Sequence, residues 1–309
     1  MHLSDGLLPL SHAAAWTAVA APFLLEAVRS REETSTGARA LAGLSGALLF
    51  AVTLFPVPVP VVGVTSHLCA SPVLALLLGR RRVVLPVLAC LLLQALFFAH
   101  GGLTTLGANV FTLGVVGPGV ALVLARTLSR VRVPAPVALF VACAVADLAV
   151  YVADAVMLGL ALRGERPFLH WFTTLLLGLA PAQVPLALLE GALSVALVRA
   201  LARRRPDVVP SWLVLPPASP ALGGAVLGLL LLILTPSTSR AEEGGWRGLD
   251  EAVLAGTAER AGRQASAPVL ELPGELSLFV FSLGTFLAGI QVGRAWARLS
   301  SRPEEPHVP

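Results

Sequence analysis

Apolar residues in this chain come in long unbroken runs, not in the 3.6-residue or 2-residue alternation of a helix or strand with one face in water. Nine such runs stand out, at about 12–28, 38–56, 61–79, 83–99, 103–125, 134–161, 171–200, 219–236 and 275–296. Most reach the roughly 20 residues that a helix needs to cross a bilayer. Arginine clusters, prolines and glycines punctuate them. The pattern predicts an all-α, polytopic membrane bundle of about nine spanning helices, with a polar stretch at 237–274 as a loop between the last two.

Composition agrees with that pattern. Of the 309 residues, 56% are hydrophobic and 13% charged, with a mean hydropathy of +0.82. Soluble chains carry about 25% charged residues, so the partner implied throughout is the lipid bilayer. All 22 basic residues are arginines. Their clustering between apolar runs reads as membrane topology and not as nucleic-acid binding. With the N-terminus outside and the C-terminus inside, 16 of the 22 arginines fall on the inner side, as the positive-inside rule requires. Cys69, Cys90 and Cys143 stand alone in apolar surroundings and suggest neither a disulfide framework nor a thiolate metal site. The first apolar run lacks the positively charged leader of a signal peptide, so the N-terminus is expected to be retained.

In that orientation His2, His12, His67, His100 and His170 all fall at the outer face, and only His307 does not. Histidine is the commonest side-chain metal ligand, although interfacial histidines are also ordinary. The opening Met1-His2 carries sharper chemistry. A free α-amine on Met1, the amide nitrogen of His2 and Nδ1 of His2 can chelate one cation in adjoining five- and six-membered rings. One further imidazole, such as His67, would complete a square plane of four nitrogens. That geometry points to Ni(II) or Cu(II) more naturally than to zinc or magnesium, with Co(II) possible. The amine must be unprotonated, so binding releases a proton near neutrality.

Four stretches carry a resemblance: "MHLSDGLLP" at the start, Ser66-His67-Leu68, "QALFFAHGGLTTLGAN" at 94–109 and "PLALLEG" at 185–191. Over about residues 1–200 the chain resembles the substrate-binding membrane subunit of cobalt/nickel energy-coupling-factor transporters, the CbiM/NikM family. The last two apolar runs resemble the two-helix N subunit of the same systems. That subunit's Pro-Asp-Gly-Leu-Glu is represented by Arg247-Gly248-Leu249-Asp250. The family's histidine before "PLALLEG" is replaced by Gln183. The resemblance implies a seven-span capture domain at 1–205, a cytoplasmic linker at 206–218, a hairpin at 219–298 with external loop 237–274, and a polar tail at 299–309. It implies a multi-pass protein of the bacterial inner membrane that binds Ni2+ or Co2+ from outside as its transported substrate. Met1, His2 and His67 would hold the ion, and no organic cofactor is implied. Partners would be a transmembrane coupling (T/Q) subunit and cytoplasmic ATPase (A/O) subunits of an ABC-type importer. Cobalt so imported would feed cobalamin biosynthesis, and nickel is the slightly favoured cargo.

Other residues are candidates for supporting roles. His100 and Asn109 are expected to orient the ligating imidazoles or fix the loop, with a fifth ligand or a gate as the alternative for His100. Ser66 is expected in the pocket, with Gly101 and Gly102 permitting a tight turn. Asp147, Tyr151 and Asp154 share a helical face, and with Glu190 they read as a buried polar network, with a cation path as the alternative. Ala14 and Ala18 form a small-residue face that either packs inside the bundle or docks a coupling subunit. The chain has no HExxH, GxSxG or GxxxxGK[ST], so an enzyme or ATPase is not expected. A cation channel or a metal-dependent intramembrane enzyme is the alternative reading.

Overall fold

A computed structural model describes residues 2–32, 35–55, 57–59, 64–98, 100–164, 166–213, 215, 247–266 and a few positions between 283 and 297. Helices dominate: α1 (Leu10–Glu32), α2 (Thr36–Leu54), α3 (Ser71–Leu78), α4 (Val84–Phe97), α5 (Leu106–Phe111), α6 (Gly117–Arg130), α7 (Ala135–Ala161), α8 (Phe168–Arg204) and α9 (Gly256–Arg260). Among the described residues four segments are long and apolar enough to cross a membrane: Gly37–Leu54, Leu106–Arg130, Ala135–Ala161 and Phe168–Arg204. Val84–Phe97 is apolar but shorter. The spans expected at 219–236 and 275–296 lie outside the described residues, apart from helical positions scattered between 283 and 297.

The third expected span takes another form. Among the described residues only α3 is helical there, and eight residues rise about 12 Å, less than half a bilayer core. The chain ahead of it pairs β1 (Val57–Val59) with β2 (Val64–Ser66) in an antiparallel hairpin. Prolines at 56, 58 and 60 remove donors and bar the α conformation before each of them, while the valines between them suit strands. A third strand, β3 (Arg247–Gly248), adds in parallel to β2. A π-helical turn at Thr112–Val116 joins α5 to α6, just before Pro118, which has no amide hydrogen to give to the helix.

Helices α7 and α8 pack along much of their length, and α6 lies against α7. Gly191 lets α8 approach α7, because a Cβ there would come 2.7 Å from the Phe140 carbonyl. One core runs from Leu3 and Leu7 through Leu74, Leu113 and Leu158 to Leu186. At one end of this core the N-terminal segment, the β hairpin and the α4–α5 turn meet. The three chemically distinctive histidines sit there.

Candidate metal centre

The segment before α1 is held by hydrogen bonds that sequence alone does not reveal. Leu3 is fully buried, which draws the first residues into the bundle. Both backbone groups of Leu3 then meet Asn109: its Oδ1 accepts from Leu3 N at 2.8 Å and its Nδ2 donates to Leu3 O at 3.0 Å. The Thr105 hydroxyl donates to the same carbonyl. Asp5 accepts from the amides of Leu103 (3.2 Å) and Thr104 (2.8 Å) and from the Thr104 hydroxyl. The α4–α5 turn can come this close because of its glycines. Gly101 has φ +81 and would place a Cβ 3.3 Å from His2 Cβ, and a Cβ on Gly102 would strike Asp5. His2 is therefore fixed from both sides.

His67 is fixed by a second clamp. It follows β2 directly, and Glu190 from α8 accepts from the amides of Cys69 (3.0 Å) and Ala70 (2.8 Å) just ahead of α3. A carboxylate at a helix N-terminus satisfies amides that have no intrahelical partner. Ala70 itself is left-handed, with φ 54. Ser66 Oγ lies 3.4 Å from Gln183 Oε1, and Gln183 Nε2 donates to Asp147 Oδ2 at 2.6 Å, which ties the end of β2 to α8 and α7. His67 Nδ1 lies 3.1 Å from the Leu68 carbonyl. A carbonyl only accepts, so Nδ1 carries the proton and Nε2 is the lone-pair nitrogen.

These clamps bring three imidazoles together. Ring centroids are 5.1 Å apart for His2 and His67, 4.4 Å for His2 and His100, and 5.3 Å for His67 and His100. One ligand atom from each of His2, His67, His100 and Asp250 lies within 4.8 Å of all the others. His2 and His67 are buried, and among the described residues neither ring nitrogen of His2 nor Nε2 of His100 has a hydrogen-bond partner. Buried polar atoms are rarely left so. Burial, reinforced by the neighbouring rings, pushes His2 and His67 well below the usual histidine pKa. Burial also lowers His100, against the opposing pull of Asp250. Neutral imidazoles with inward-facing nitrogens are what a transition metal requires.

The remaining expected residues divide. Met1 lies outside the described residues. His100 stands in the cluster itself, with a ring nitrogen within 4.8 Å of the ligand atoms of His2 and His67. Asn109 touches the Leu3 backbone, so it fixes His2 through the chain and not by contact with an imidazole. Ser66 bonds toward Gln183, away from the rings. His12 and His170 do not join the cluster, and His170 Nε2 instead sits 2.9 Å from Arg166. Asp147, Tyr151 and Asp154 are buried on α7, and Glu190 is the anchor described above. Ala14 and Ala18 are exposed on α1. Sequence reading missed Asp5, Thr104, Thr105 and Asp250. Nothing in "SDG" or "RGLD" marks a carboxylate that works across 98 residues, as Asp5 does with Leu103, or 248, as Asp250 does with His2.

Comparisons with known proteins fit this geometry. A family model described as the cobalt uptake substrate-specific transmembrane region, CbiM, matches residues 2–208. The cobalt transport protein CbiM of Geobacter sulfurreducens is 38% identical over 97% of this chain and 90% of its own length. That of Sorangium cellulosum is 40% identical over 68% of this chain and 94% of its own. Two crystal structures of a transition metal transporter, one truncated, share the fold with a TM-score of 0.58 each, at 22% and 23% identity over 66% of this chain.

Proposed function

This chain belongs to the family of cobalt uptake substrate-specific transmembrane regions, and we propose that it captures cobalt(II) from outside the cell as the metal-binding membrane component of an ATP-driven importer. Nickel(II) is the second cargo to test. The observation that carries this reading is the meeting of buried His2 and His67 with half-buried His100 as neutral imidazoles whose ligand nitrogens lie within 4.8 Å of one another. The Met1 amine and the His2 amide nitrogen and imidazole form the chelate, and His67 completes it. His100 lies within reach as a further donor.

The clamps explain why such a site captures metal tightly. The cost of ordering His2 and His67 is met by folding, through Asn109, Asp5 and Glu190, before any ion arrives. The rings are already deprotonated, so the ion displaces protons only from the amine and amide. The histidine end faces outward, in line with the arginine distribution. Residues 1–205 form the capture body and 219–298 a two-helix hairpin. A coupling subunit docks on α1 through Ala14 and Ala18, and paired cytoplasmic ATPases drive release inward. Imported cobalt supplies cobalamin synthesis.

The test uses untagged protein with a native start. His67→Ala should lower cobalt binding by more than the 10–100-fold typical of residues that merely support a ligand, and His170→Ala should leave it unchanged. One residue inserted between Met1 and His2 should destroy capture while hydropathy stays the same. Normal cobalt binding and accumulation by the inserted variant would overturn the chelate.

A further inference from the structure

Asp250 reaches the histidine cluster from far along the chain, and its surroundings hold it there from two sides. β3 pairs with β2 (Val64 with Arg247, Thr65 with Gly248), so this segment begins on the strand that leads into His67. It ends on the segment that carries His2. Arg263 donates to the carbonyls of Gly6 (2.8 Å) and Leu7 (3.0 Å), and Ser266 N donates to Asp5 O at 2.9 Å. Between these anchors Leu249, Leu254 and Ala258 are buried in the common core. The residues from 247 to 266 are thus fastened to both ligand-bearing loops. They place one carboxylate oxygen among three imidazoles. Asp250 Oδ2 also accepts from His2 N at 3.2 Å.

We propose that Asp250 is an oxygen ligand of the captured cation and a determinant of its identity, favouring cobalt(II) over nickel(II). The proposal rests on the capture function given above. Four nitrogens in a plane already satisfy a metal that prefers square-planar coordination, whereas cobalt(II) gains from further donors. A carboxylate also supplies negative charge where neutral imidazoles supply none, which matters for a dication held away from water. The other role open to Asp250 is that of a hydrogen-bond acceptor that only fixes the His2 backbone. The two roles differ in what they do to metal preference. A ligand that one metal uses more than the other changes the ratio of their affinities, whereas a backbone support changes both together.

The experiment compares full-length, untagged wild type with Asp250→Ala, Asp250→Asn and His67→Ala. It measures cobalt(II) and nickel(II) affinities by competition and the visible absorption of bound cobalt(II). Asp250→Ala should weaken cobalt by more than the roughly 10–100-fold typical of residues that only support a ligand and nickel by much less, moving selectivity at least about tenfold toward nickel. The cobalt absorption bands should shift as a donor is lost. Asp250→Asn keeps the shape and removes the charge. It should move selectivity in the same direction, and it decides the matter if the alanine variant does not fold. Equal losses for both metals, or no loss, with an unchanged spectrum would overturn the proposal and leave Asp250 a backbone support. His67→Ala tells this failure from failure of the capture reading, because normal binding of both metals by that variant would sink the site as a whole.

Discussion

Asn109 shows how one side chain can matter to a metal centre without touching it. Its amide meets both the N–H and the C=O of Leu3, one residue from His2. Asn109→Ala leaves a buried backbone donor unpaired, at a cost of about 1–3 kcal/mol. Thermal unfolding should register that loss, and titration should show metal affinity falling by about 10–100-fold, as expected for a residue supporting a ligand. A stability loss with unchanged affinity would make Asn109 a packing residue only. The histidines carry a pH prediction of their own. Burial lowers the pKa values of His2, His67 and His100 in the folded protein, whereas the unfolded chain titrates near the ordinary value of about 6.5. Below that value the unfolded state binds more protons, so stability falls as pH falls and is level above it. In metal-free protein the histidines' contribution to melting temperature should therefore fall between about pH 7 and pH 5. His67→Gln should flatten that slope, and an unaltered slope would mean that His67 titrates normally in the fold.

Among the helices, close approach decides which substitutions are tolerated. Gly107 on α5 faces α1, where a Cβ would collide with Thr17 in both backbone and side chain. Gly119 on α6 has nothing within 4 Å of the same added atom. Gly107→Ala should cost about 1–3 kcal/mol through overpacking, and it should pry α1 from the turn that grips Asp5. Gly119→Ala should be neutral or stabilise by up to about 1 kcal/mol, since alanine is the better helix former. Unfolding in detergent compares the two, and equal melting temperatures would show that α1 is free to shift. The hairpin ahead of α3 follows the same logic of local constraint. Prolines keep Val57–Val59 extended, and its pairing with Val64–Ser66 draws the start of the expected span into the strand on which β3 and His67 both depend.

For the molecule as a whole, the arginines set a direction that labelling can check. Arg80 and Arg81 pair with Glu26 at 2.8 and 2.7 Å at the end of the bundle away from the histidines. Exposed pairs of this kind add little stability, and their value lies in charge on one side of the membrane. Cys69, Cys90 and Cys143 are all buried, so a single introduced cysteine reports cleanly. Arg166→Cys should react with an impermeant reagent added to intact cells, and Arg81→Cys should react only after lysis. The reverse pattern would turn the histidine cluster to the inner face and make it a release site.

The sequence by itself was enough for the long apolar helices, because a bilayer solvent imposes one length and one polarity on every span. It also picked out the histidines at 2, 67 and 100, since the Met1-His2 chelate is local chemistry and the motifs around the other two are short and contiguous. It misread 61–79, where apolar character suits a strand as well as a helix and the prolines that hold β1 extended lie just ahead of the run. It could not show that His100 stands among the other two rings, because the glycines that follow it suit equally a turn that only supports them. Nor could it show that Asn109 grips Leu3, that Glu190 holds the turn into α3, or that Asp250 returns from the far end of the chain to the same pocket. The last three are contacts between groups more than a hundred residues apart, and no local pattern encodes such a contact. Burial of Leu3 and pairing of β3 with β2 bring those groups together, and both exist only once the whole chain has folded.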